Sequence, residues 1–423
     1  MIVGARSSVA ELLRGPIEAL ACGPLPIRIR GWDGSDLGPP HAPTVVLRSR
    51  RALRHLVWKP NELGLARAYV SGDLDVERDL EDGFRRIWQF NRDRRDGPSA
   101  GLRLTPRAYL RILGAAVRLG ALGPRPRPPA SEARPRGRLH SRTRDAAVIA
   151  HHYDLSNKFY ELVLDEHLAY SCAYFPADDP DYPLVDAQRD KLEMICRKLA
   201  IEPGMRMLDV GCGWGALSIH AARHFGARVT GVTLSRQQLE FAAKRVADLG
   251  LTTQVELRLQ DYRDIDDGPY DVATSIEMGE HVGDAQYPGF IAGFRRLLKP
   301  GGRLLIQQMS RNVHAPGGGP FIEAYIAPDM HMRPLGETVS LLEAGGFEIR
   351  GIEAMREHYA RTGRAWRHTL EARWREVVEL VGEETARVWR LYLTGGSLAF
   401  EEGRMGVDQI LARTPSTPST VAP

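Results

Sequence analysis

Cysteine is scarce in this chain of 423 residues, which contains only four. Their positions have neither the spacing of a metal site nor that of a disulfide framework. Such usage is typical of a protein of the reducing cytosol. Because the spacing of a metal site is missing, we expect no metal site. The four are Cys22, Cys172, Cys196 and Cys212.

Targeting and membrane-spanning segments are also missing. The N-terminus lacks the basic, apolar and small-residue order of a secretory signal, and no apolar run reaches the roughly 18 residues of a membrane span. We expect a cytoplasmic protein that is neither secreted nor membrane-spanning. Its length and its 43% apolar content are enough for more than one domain with a real core.

The net charge of +4 is small, but it is unevenly distributed. Eleven arginines lie between Arg103 and Arg144, a stretch that includes the apolar helical pattern Tyr109–Leu122 and the Pro/Arg-rich segment Pro124–Gly137. The last segment is predicted to be an extended, disordered linker. Basic segments are attracted to anionic lipid headgroups by about 1 kcal/mol per residue. A solvated connector explains the arginines equally well, whereas a nucleic-acid interface would need interleaved aromatics.

This basic stretch divides the chain into segments. Residues 1–95, with strand-like runs at Ile27–Gly31 and Thr44–Leu47, are predicted to form a smaller α+β domain that associates with lipid. Residues 96–147 form the basic helix and linker, and residues 148–413 the catalytic domain. Residues 414–423 are predicted to be a disordered tail.

A glycine-rich turn at Gly211-Cys212-Gly213-Trp214-Gly215 is the most informative feature. It follows an apolar run that ends in Asp209, and it opens the helical pattern Ala216–Phe225. Glycines between a strand and a helix allow close approach of the backbone to a ligand. The spacing GxGxG differs from the GxGxxG of dinucleotide sites and suits an amino-acid moiety better. It resembles the first motif of seven-stranded S-adenosylmethionine-dependent methyltransferases.

Strand and helix patterns alternate after this turn, which predicts an α/β, doubly wound, Rossmann-like sheet of seven strands. A helix is predicted at 236–249. Ligands bind beyond the carboxyl ends of such strands. The strands that follow the first are predicted at Arg228–Thr233, Val255–Leu259, Tyr270–Ile276, Arg303–Gln308, Phe347–Ile352 and Gly406–Leu411.

Three further motifs identify a family. They are His152–Tyr160 (HYDLSNKFY), Tyr170–Phe175 (YSCAYF) and Glu280-His281-Val282-Gly283. Together they resemble the cyclopropane-fatty-acyl-phospholipid synthase family, closely over residues 148–413. Residues 1–95 resemble the N-terminal domain of its phospholipid-acting members, which the mycolic-acid members lack. The resemblance implies methyl transfer from S-adenosylmethionine to the cis double bond of a phospholipid acyl chain at a membrane surface.

The resemblance also implies roles for particular residues. Gly211, Gly213 and Gly215, after Asp209, would line the methionine part of the cofactor, with Tyr170 and Ser171 closing over it. The ribose would be reached by Thr233, Leu234 and Gln238, and the adenine would be held by Asp261 and Tyr262. In the family a bicarbonate ion acts as base, held by groups that correspond to Cys172, Glu280 and Tyr359; His281 is a further catalytic candidate.

Each candidate has a structural alternative. Cys172 would also serve as a small buried hydrophobe, and Tyr359 as a core residue with an exposed hydroxyl. Trp366 is interpreted as core packing. Within the family resemblance, the functional interpretation of Cys172 and Tyr359 is favoured.

Two departures from the family pattern change the expected mechanism. Glu277 stands after Ser275-Ile276, where glycine is usual, and Gln307 replaces the histidine that helps to hold the ion. We therefore expect the carboxylate of Glu277 to replace bicarbonate, which would not be required. Alternatively, Glu277 pairs with a cationic group such as the cofactor's amino group.

The base acts on a carbocation that methyl transfer leaves in the acyl chain. A 1,2-hydride shift before proton loss gives a methylene branch, whereas immediate ring closure gives cyclopropane. The altered motifs resemble the branch that makes methylene-branched precursors of 10-methylstearate, so the methylene product is preferred and cyclopropane is the alternative. A reductase acting on the product and a homodimer formed through the front domain are the partners that this resemblance implies.

Other classes fit the sequence less well. A lipid-binding regulator with a vestigial methyltransferase domain would not need intact cofactor motifs. A nucleic-acid amine methyltransferase would have an (Asn/Asp)-Pro-Pro-(Tyr/Phe) box where Glu277–Glu280 stands. A nicotinamide oxidoreductase would need an acidic ribose ligand at Thr233.

Overall fold

The chain forms two compact units. The computed structural model describes residues 7–21, 25–96, 106–133, 137–142, 144–145, 148, 156–311 and 317–416. The first unit takes in Met1–Glu132 and Glu383–Leu398, and the second Ala133–Gly382 and Ala399–Pro423. Within the described residues, no helix is long and apolar enough to cross a membrane.

The first unit packs helices against a small mixed sheet with the strand order β2-β1-β3-β4. Strand β1 is parallel to β3, and the other two pairings are antiparallel. Its elements are α1 (Val9–Ala21), β1 (Arg28–Arg30), β2 (Asp36–Leu37), β3 (Thr44–Leu47), α2 (Arg50–Trp58), α3 (Glu62–Val70), β4 (Leu74–Glu77), α4 (Leu80–Asp96) and α5 (Pro106–Arg118). The predicted α+β character and the strand at Thr44–Leu47 are present.

The boundary of this unit differs from the prediction, because residues 383–398 belong to it. Arg387 donates hydrogen bonds to Asp75 and to the carbonyl of Tyr69, and Ser131 donates to Glu384. These polar contacts, with a bidentate ion pair between Arg67 and Glu132, attach the late helix and part of the expected linker to the front unit. Described residues of the expected linker are therefore held by specific contacts, whereas 134–136 lie outside the described residues.

The second unit is built on a seven-stranded sheet of order β10-β11-β9-β8-β5-β6-β7. The pairings among β7, β6, β5, β8 and β9 are parallel, and β11 is antiparallel to both β9 and β10. The strands are β5 (Arg206–Val210), β6 (Arg228–Thr233), β7 (Val255–Leu259), β8 (Tyr270–Ile276), β9 (Leu298–Ser310), β10 (Glu348–Ala354) and β11 (Gly406–Arg413). All seven predicted strands are present, and β9 begins five residues earlier than predicted.

Helices cover both faces of this sheet. Apolar clusters lie on its two sides, one around Phe290 and Ile306 and the other around Ile195 and Val229. The helices of this unit are α6 (Asn157–Val163), α7 (Leu184–Lys198), α8 (Ala216–Phe225), α9 (Arg236–Asp248), α10 (Tyr287–Leu297), α11 (Pro320–Tyr325), α12 (Leu335–Ala344) and α13 (Arg356–Ala372), with 3₁₀ turns at Tyr262–Asp264 and Gly279–His281. The last helix, α14 (Trp374–Glu401), is broken at Gly382, and its residues 383–398 belong to the first unit.

The end of the chain is ordered further than predicted. Thr414 is fully buried, and its hydroxyl donates to the carbonyl of Lys299. The predicted tail therefore does not begin at residue 414. Residues 417–423 lie outside the described residues, as do residues 151–155 at the start of the His152–Tyr160 motif.

Candidate active site

The glycine-rich turn connects β5 to α8. Gly211 has φ of 81° and Gly213 has φ of 55°, a left-handed conformation that favours glycine. An added Cβ at Gly213 would meet no atom within 4 Å, because this residue faces a cavity. Beneath the turn, Asp209 accepts hydrogen bonds from the hydroxyls of Ser218 and Thr274. Asp209 therefore braces the turn as well as lining the cavity.

The cavity lies at the carboxyl ends of the parallel strands, as predicted for a doubly wound sheet. Eleven of the predicted site residues line it: Tyr170, Ser171, Asp209, Gly211, Gly213, Thr233, Leu234, Gln238, Tyr262, Glu277 and His281. The other six do not line it directly: Gly215, Asp261, Cys172, Glu280, Gln307 and Tyr359. Gly215 is the N-cap of α8, and the remaining five contact cavity residues or lie next to them in the chain.

The end of β6 and the start of α9 supply a polar wall. The hydroxyl of Thr233 donates to Oε1 of Gln238 over 3.0 Å, and both residues are buried. Ser235 caps α9 by accepting from the backbone N–H of Gln238. Because this cap fixes the first turn of the helix, Thr233 and Gln238 are held side by side.

The turn after β7 holds Asp261 in an ion pair. Both carboxylate oxygens of Asp261 accept hydrogen bonds from the guanidinium of Arg263, at 2.8 and 2.6 Å. Arg263 and Tyr262 line the cavity, whereas Asp261 does not. The carboxylate of Asp261 is therefore oriented by Arg263, and its contact with adenine stays a prediction.

Glu277, directly after β8, is the centre of a hydrogen-bonded cluster. Its Oε1 accepts from the backbone N–H of Cys172 and from Nε2 of Gln307, both at 2.8 Å. Its Oε2 accepts from the hydroxyl of Tyr359 at 2.6 Å. Glu277 has φ of 50°, uncommon for a residue other than glycine. Strain of this kind is often found at functional sites.

Two opposing effects act on the pKa of Glu277. Burial raises its pKa, and the hydrogen bonds from Tyr359, Cys172 and Gln307 together with the cation Lys191 partly oppose that rise. These donors all favour the ionised carboxylate. The site therefore contains a carboxylate that is both desolvated and held in one orientation, as a general base requires.

Cys172 contributes its backbone rather than its thiol. The side chain is fully buried, and Sγ donates to the carbonyl oxygens of Ala173 and Met355. Burial raises the pKa of the thiol well above its usual value, so it stays protonated. Its side chain behaves as the small buried hydrophobe that was the alternative interpretation.

Glu280 and His281 follow on the 3₁₀ turn. Oε1 of Glu280 accepts from the backbone N–H of Met309, and burial with the nearby charge of Glu277 raises its pKa to about 8. Burial lowers the pKa of His281 to about 4, so its ring is neutral at pH 7. Among the described residues, Nδ1 of His281 has no hydrogen-bond partner, and His281 lines the cavity.

Tyr359 and Trp366 lie on one face of α13. The ring of Trp366 is 5.3 Å from that of Tyr170 and 6.2 Å from that of Tyr359. Trp366 is 2% exposed, so its interpretation as core packing is confirmed. Tyr359 is also buried, but its hydroxyl points to Glu277, which supports the functional interpretation of this residue.

One functional candidate was missed from the sequence. Lys191, on α7, lines the cavity while only 2% exposed, and its Nζ donates to the hydroxyl of Ser171 over 2.8 Å. It lies on the buried face of the helix with Leu192 and Ile195. A lysine within an apolar helical stripe is rarely buried without a partner, and this was the available signal. No group of three or more His, Cys, Asp or Glu side chains suited to a metal occurs among the described residues.

Comparison with known proteins identifies the family. A family model described as mycolic acid cyclopropane synthetase matches residues 140–410. The chain belongs to this family. A probable fatty acid methyltransferase of Mycobacterium tuberculosis is 38% identical over 420 residues, covering 96% of this chain and 95% of its own.

Two further relatives extend the comparison. A tuberculostearic acid methyltransferase of M. tuberculosis is 31% identical, covering 95% of this chain and 93% of its own. A solved mycolic acid cyclopropane synthase, in complex with SAH and CTAB, is 31% identical with a TM-score of 0.60. It covers 98% of its own chain but 64% of this one. The fold is that of a class I methyltransferase, preceded by an additional unit.

Proposed function

We propose that this protein is an S-adenosylmethionine-dependent methyltransferase that converts the cis double bond of a phospholipid-bound, oleoyl-type acyl chain to a methylene branch. The observation that supports this proposal most strongly is the position of Glu277. This carboxylate sits in the cavity wall beside the glycine-rich turn, with hydrogen bonds from Tyr359, Gln307 and Cys172. The cavity thus combines a family cofactor turn with a protein-supplied base.

The cavity suits S-adenosylmethionine. When bound, this cofactor supplies a methyl group attached to a positively charged sulfur. Open space above Gly213 admits a ligand backbone, and His281 lines the same cavity. Gln238 and Thr233 would hold the ribose, and Tyr262 the adenine. Lys191 is a candidate to bind a carboxylate, since it lines the cavity and its Nζ donates to Ser171, which lines it too. A solved family member in complex with SAH supports the same assignment.

The residues around Glu277 fit the chemistry of a carbocation. Methyl transfer forms a carbon–carbon bond at one alkene carbon, breaks the carbon–sulfur bond and leaves positive charge on the other alkene carbon. The enzyme must exclude water and stabilise this charge. Glu277 is a negative charge at the cavity wall, and the rings of Tyr170 and Trp214 line the same cavity. Aromatic faces attract a cation.

Proton removal completes the reaction. A 1,2-hydride shift moves the positive charge to the methylated carbon, and Glu277 then takes one proton from the new methyl group as the carbon–carbon double bond of the methylene branch forms. Because Glu277 is covalently part of the chain and Gln307 occupies the place of an ion-binding histidine, no bicarbonate is needed. A full-length relative named as a tuberculostearic acid methyltransferase favours a branched product over cyclopropane, which remains the second candidate.

The front unit supports a substrate that stays in a membrane. Four apolar side chains of α5 are exposed at helical spacing: Tyr109, Leu110, Leu113 and Val117. Ala115 and Leu119 face the core of this unit instead, and Arg111 is exposed beside the apolar side chains. An exposed apolar face flanked by arginines is typical of a helix that lies at a lipid surface. We place the enzyme at the phospholipid surface as a peripheral protein, dimerising through the front unit and passing its product to a reductase.

Product analysis and one variant test the proposal. The purified protein, given oleoyl phospholipid vesicles and S-adenosylmethionine, should yield vinylic methylene hydrogens in the ¹H NMR spectrum, with no cyclopropyl signals. Glu277→Gln should lower turnover by roughly 10²–10⁴-fold, the scale of losing a positioned base, while cofactor affinity is kept. Added bicarbonate should change turnover little. The exposed Glu343→Gln serves as control.

Three results would contradict parts of it. Cyclopropyl signals alone would transfer the assignment to a cyclopropane synthase. A fully active Glu277→Gln, or strong dependence on bicarbonate, would remove Glu277 as the base. Absence of any methylated lipid would refute the substrate class.

A further inference from the structure

A line of hydrogen bonds connects Glu277 to the surface of the second unit. Gln307 donates from Nε2 to Glu277 over 2.8 Å, and Gln409 donates from Nε2 to Oε1 of Gln307 over 2.9 Å. Oε1 of Gln409 accepts in turn from Nζ of Lys198 over 2.6 Å. Lys198 also forms an ion pair with Glu353. The two glutamines are buried, whereas Lys198 and Glu353 reach solvent.

The sheet brings these side chains into line. Glu353 on β10 pairs with Gln409 on β11, and Gln409 pairs with Gln307 on β9. Ile276, the last residue of β8, pairs with Gln307, and Glu277 follows it. Directly opposite residues of paired strands point to the same face. Glu353, Gln409 and Gln307 therefore lie on one face of three adjacent strands, and Glu277 follows the end of the fourth, β8.

The chemistry of Lys198 gives this line a direction. A glutamine amide has a donor end and an acceptor end, and the hydrogen-bond network decides which way it points. An ammonium can only donate, so Gln409 must turn its oxygen to Lys198 and its NH₂ to Gln307. Gln307 must then turn its own NH₂ to Glu277. A donor facing Oε1 favours the ionised carboxylate.

From this geometry we infer that Gln409 and Lys198 are positioning residues that hold the amide of Gln307 with its donor end toward Glu277. They act through Gln307 and touch neither the cavity nor the acyl chain. The catalytic meaning of this inference rests on the proposed role of Glu277 as base, but the orientation of the amide does not. This positioning role would explain why buried glutamines occupy opposite positions on the adjacent strands β9 and β11.

Other groups also act on Glu277, and none of them belongs to this line. Tyr359 on α13 donates to Oε2, and Cys172 donates its backbone N–H while its buried thiol lies close by. The cation of Lys191 on α7 favours ionisation, and the neighbouring carboxyl of Glu280 opposes it once charged. All four remain in the variants described next. A change in the pKa of Glu277 then comes from Gln307 and its partners or from the charge that the substitution itself introduces.

The central experiment removes the donor end of Gln409. In Gln409→Glu, a carboxylate keeps the contact with Lys198 but can no longer donate to Gln307. The amide should rotate, presenting its oxygen to Glu277 and raising the pKa of that carboxyl by roughly one unit, the scale of one hydrogen bond to a charged group. The pKa is read by ¹³C NMR of glutamate-labelled, full-length protein without substrate, with Glu277→Gln identifying the resonance.

A second set of variants, made in Gln307→Met, distinguishes rotation of the Gln307 amide from direct charge repulsion of Glu277. The new carboxylate at position 409 also repels Glu277, and in Gln307→Met only that repulsion remains. The inference requires a clearly larger shift in the pKa of Glu277 when Gln307 is present. Equal shifts in the two backgrounds would overturn it. In active enzyme, the acidic limb of the kcat profile should move upward with the same variant, while KM stays unchanged.

Lys198 provides an independent test. Lys198→Met should raise the pKa of Glu277 in the wild-type background but not in Gln409→Met, because contributions that pass through one partner are not additive. Lys299→Met removes another paired lysine, bound to Asp271, and should leave Glu277 unchanged. If Lys198→Met raises the pKa of Glu277 equally in both backgrounds, Lys198 does not act through Gln409 and the inference is refuted. If the NMR shifts occur but Glu277→Gln remains active, the inference stands and the proposed function fails.

Discussion

The hydroxyl of Tyr359 donates a 2.6 Å hydrogen bond to Oε2 of Glu277, from a helix 82 residues further along the chain. The opposite carboxylate oxygen is bound by Gln307 and by the backbone of Cys172. Glu277 is thus held on both oxygens, and its hydrogen bonds come from three separate parts of the second unit. Such a base is oriented before any substrate arrives, which is the basis of an efficient site.

Removing the hydroxyl of Tyr359 should weaken the ionised form of Glu277. Because that hydrogen bond lowers the pKa of the carboxyl, Tyr359→Phe should raise it and move the acidic limb of the kcat profile to higher pH. Turnover at low pH should fall most, and turnover at high pH should recover in part. Steady-state kinetics across pH measure this. Tyr182→Phe, which loses a bond to Asp190 instead, is the control and should leave the limb unchanged. An unchanged limb in Tyr359→Phe would separate Tyr359 from the base.

Most of the second unit could be predicted because its pattern is local. Apolar strands such as Arg228–Thr233 and Val255–Leu259 end where polar residues begin, and these bounds were predicted to the residue. The boundary of the front unit could not be predicted, since it depends on contacts between residues about 300 apart, such as Arg387 with Asp75. No periodicity in the sequence encodes such a pairing.

The candidate site was predictable in its members but not in their contacts. Glu277 and Gln307 were each recognised as departures from a family pattern, yet only the structure brings Gln307 to Glu277. The occupation of Asp261 by Arg263 and the turned thiol of Cys172 depend on side-chain rotamers. Lys191 was missed because an apolar helical stripe gives no sign of a cavity behind it.

The glycine turn offers a direct test of cofactor binding. Gly213→Ala places a methyl group into the cavity and should weaken S-adenosylmethionine affinity at least tenfold, measured by calorimetry. Gly204→Ala is the matched control, since Gly204 also has a positive φ and open space but does not line the cavity. Both variants carry a backbone cost of about 1–2 kcal/mol. Unaltered affinity in folded Gly213→Ala would reject the assignment of the turn.

Stability should fall with rising pH because of Glu280. Burial and the charge of Glu277 raise its pKa from 4.5 to about 8, so between these values the folded state binds a proton that the unfolded state releases. The contribution of protonated Glu280 to stability is complete below about pH 4.5 and is lost as pH rises to about 8. Glu280→Gln, neutral throughout, should therefore have a smaller decline in thermal midpoint across this window.

The decline in Glu280→Gln should not vanish, because burial also raises the pKa of Glu277 and gives the same sign. Scanning calorimetry at both ends of the window makes the comparison, with Glu343→Gln expected to behave as wild type. A variant that declines as steeply as wild type would mean that Glu280 is already ionised at neutral pH. A steeper decline in Glu280→Gln would mean that folding lowers the pKa of Glu280 instead of raising it.

Membrane association should depend on the exposed face of α5. Leu110 is 68% exposed and Leu113 is 45% exposed, and replacing both by serine removes apolar area that would enter the lipid interface. The double variant should bind oleoyl vesicles containing anionic phospholipid at least tenfold more weakly than wild type in sedimentation assays. Leu249→Ser, which changes an exposed leucine of the second unit, should bind as wild type does.

The salt dependence of vesicle binding distinguishes the contribution of the arginines from that of the apolar side chains. Attraction between arginines and anionic headgroups is screened over about 10 Å at 0.1 M salt, so wild-type binding should weaken as salt rises. The apolar contribution of Leu110 and Leu113 does not depend on charge, so the ratio between wild type and the double variant should stay nearly constant. Equal, salt-insensitive binding to neutral and anionic vesicles would show that the arginines take no part. Unchanged binding of the double variant would place lipid contact elsewhere on the protein.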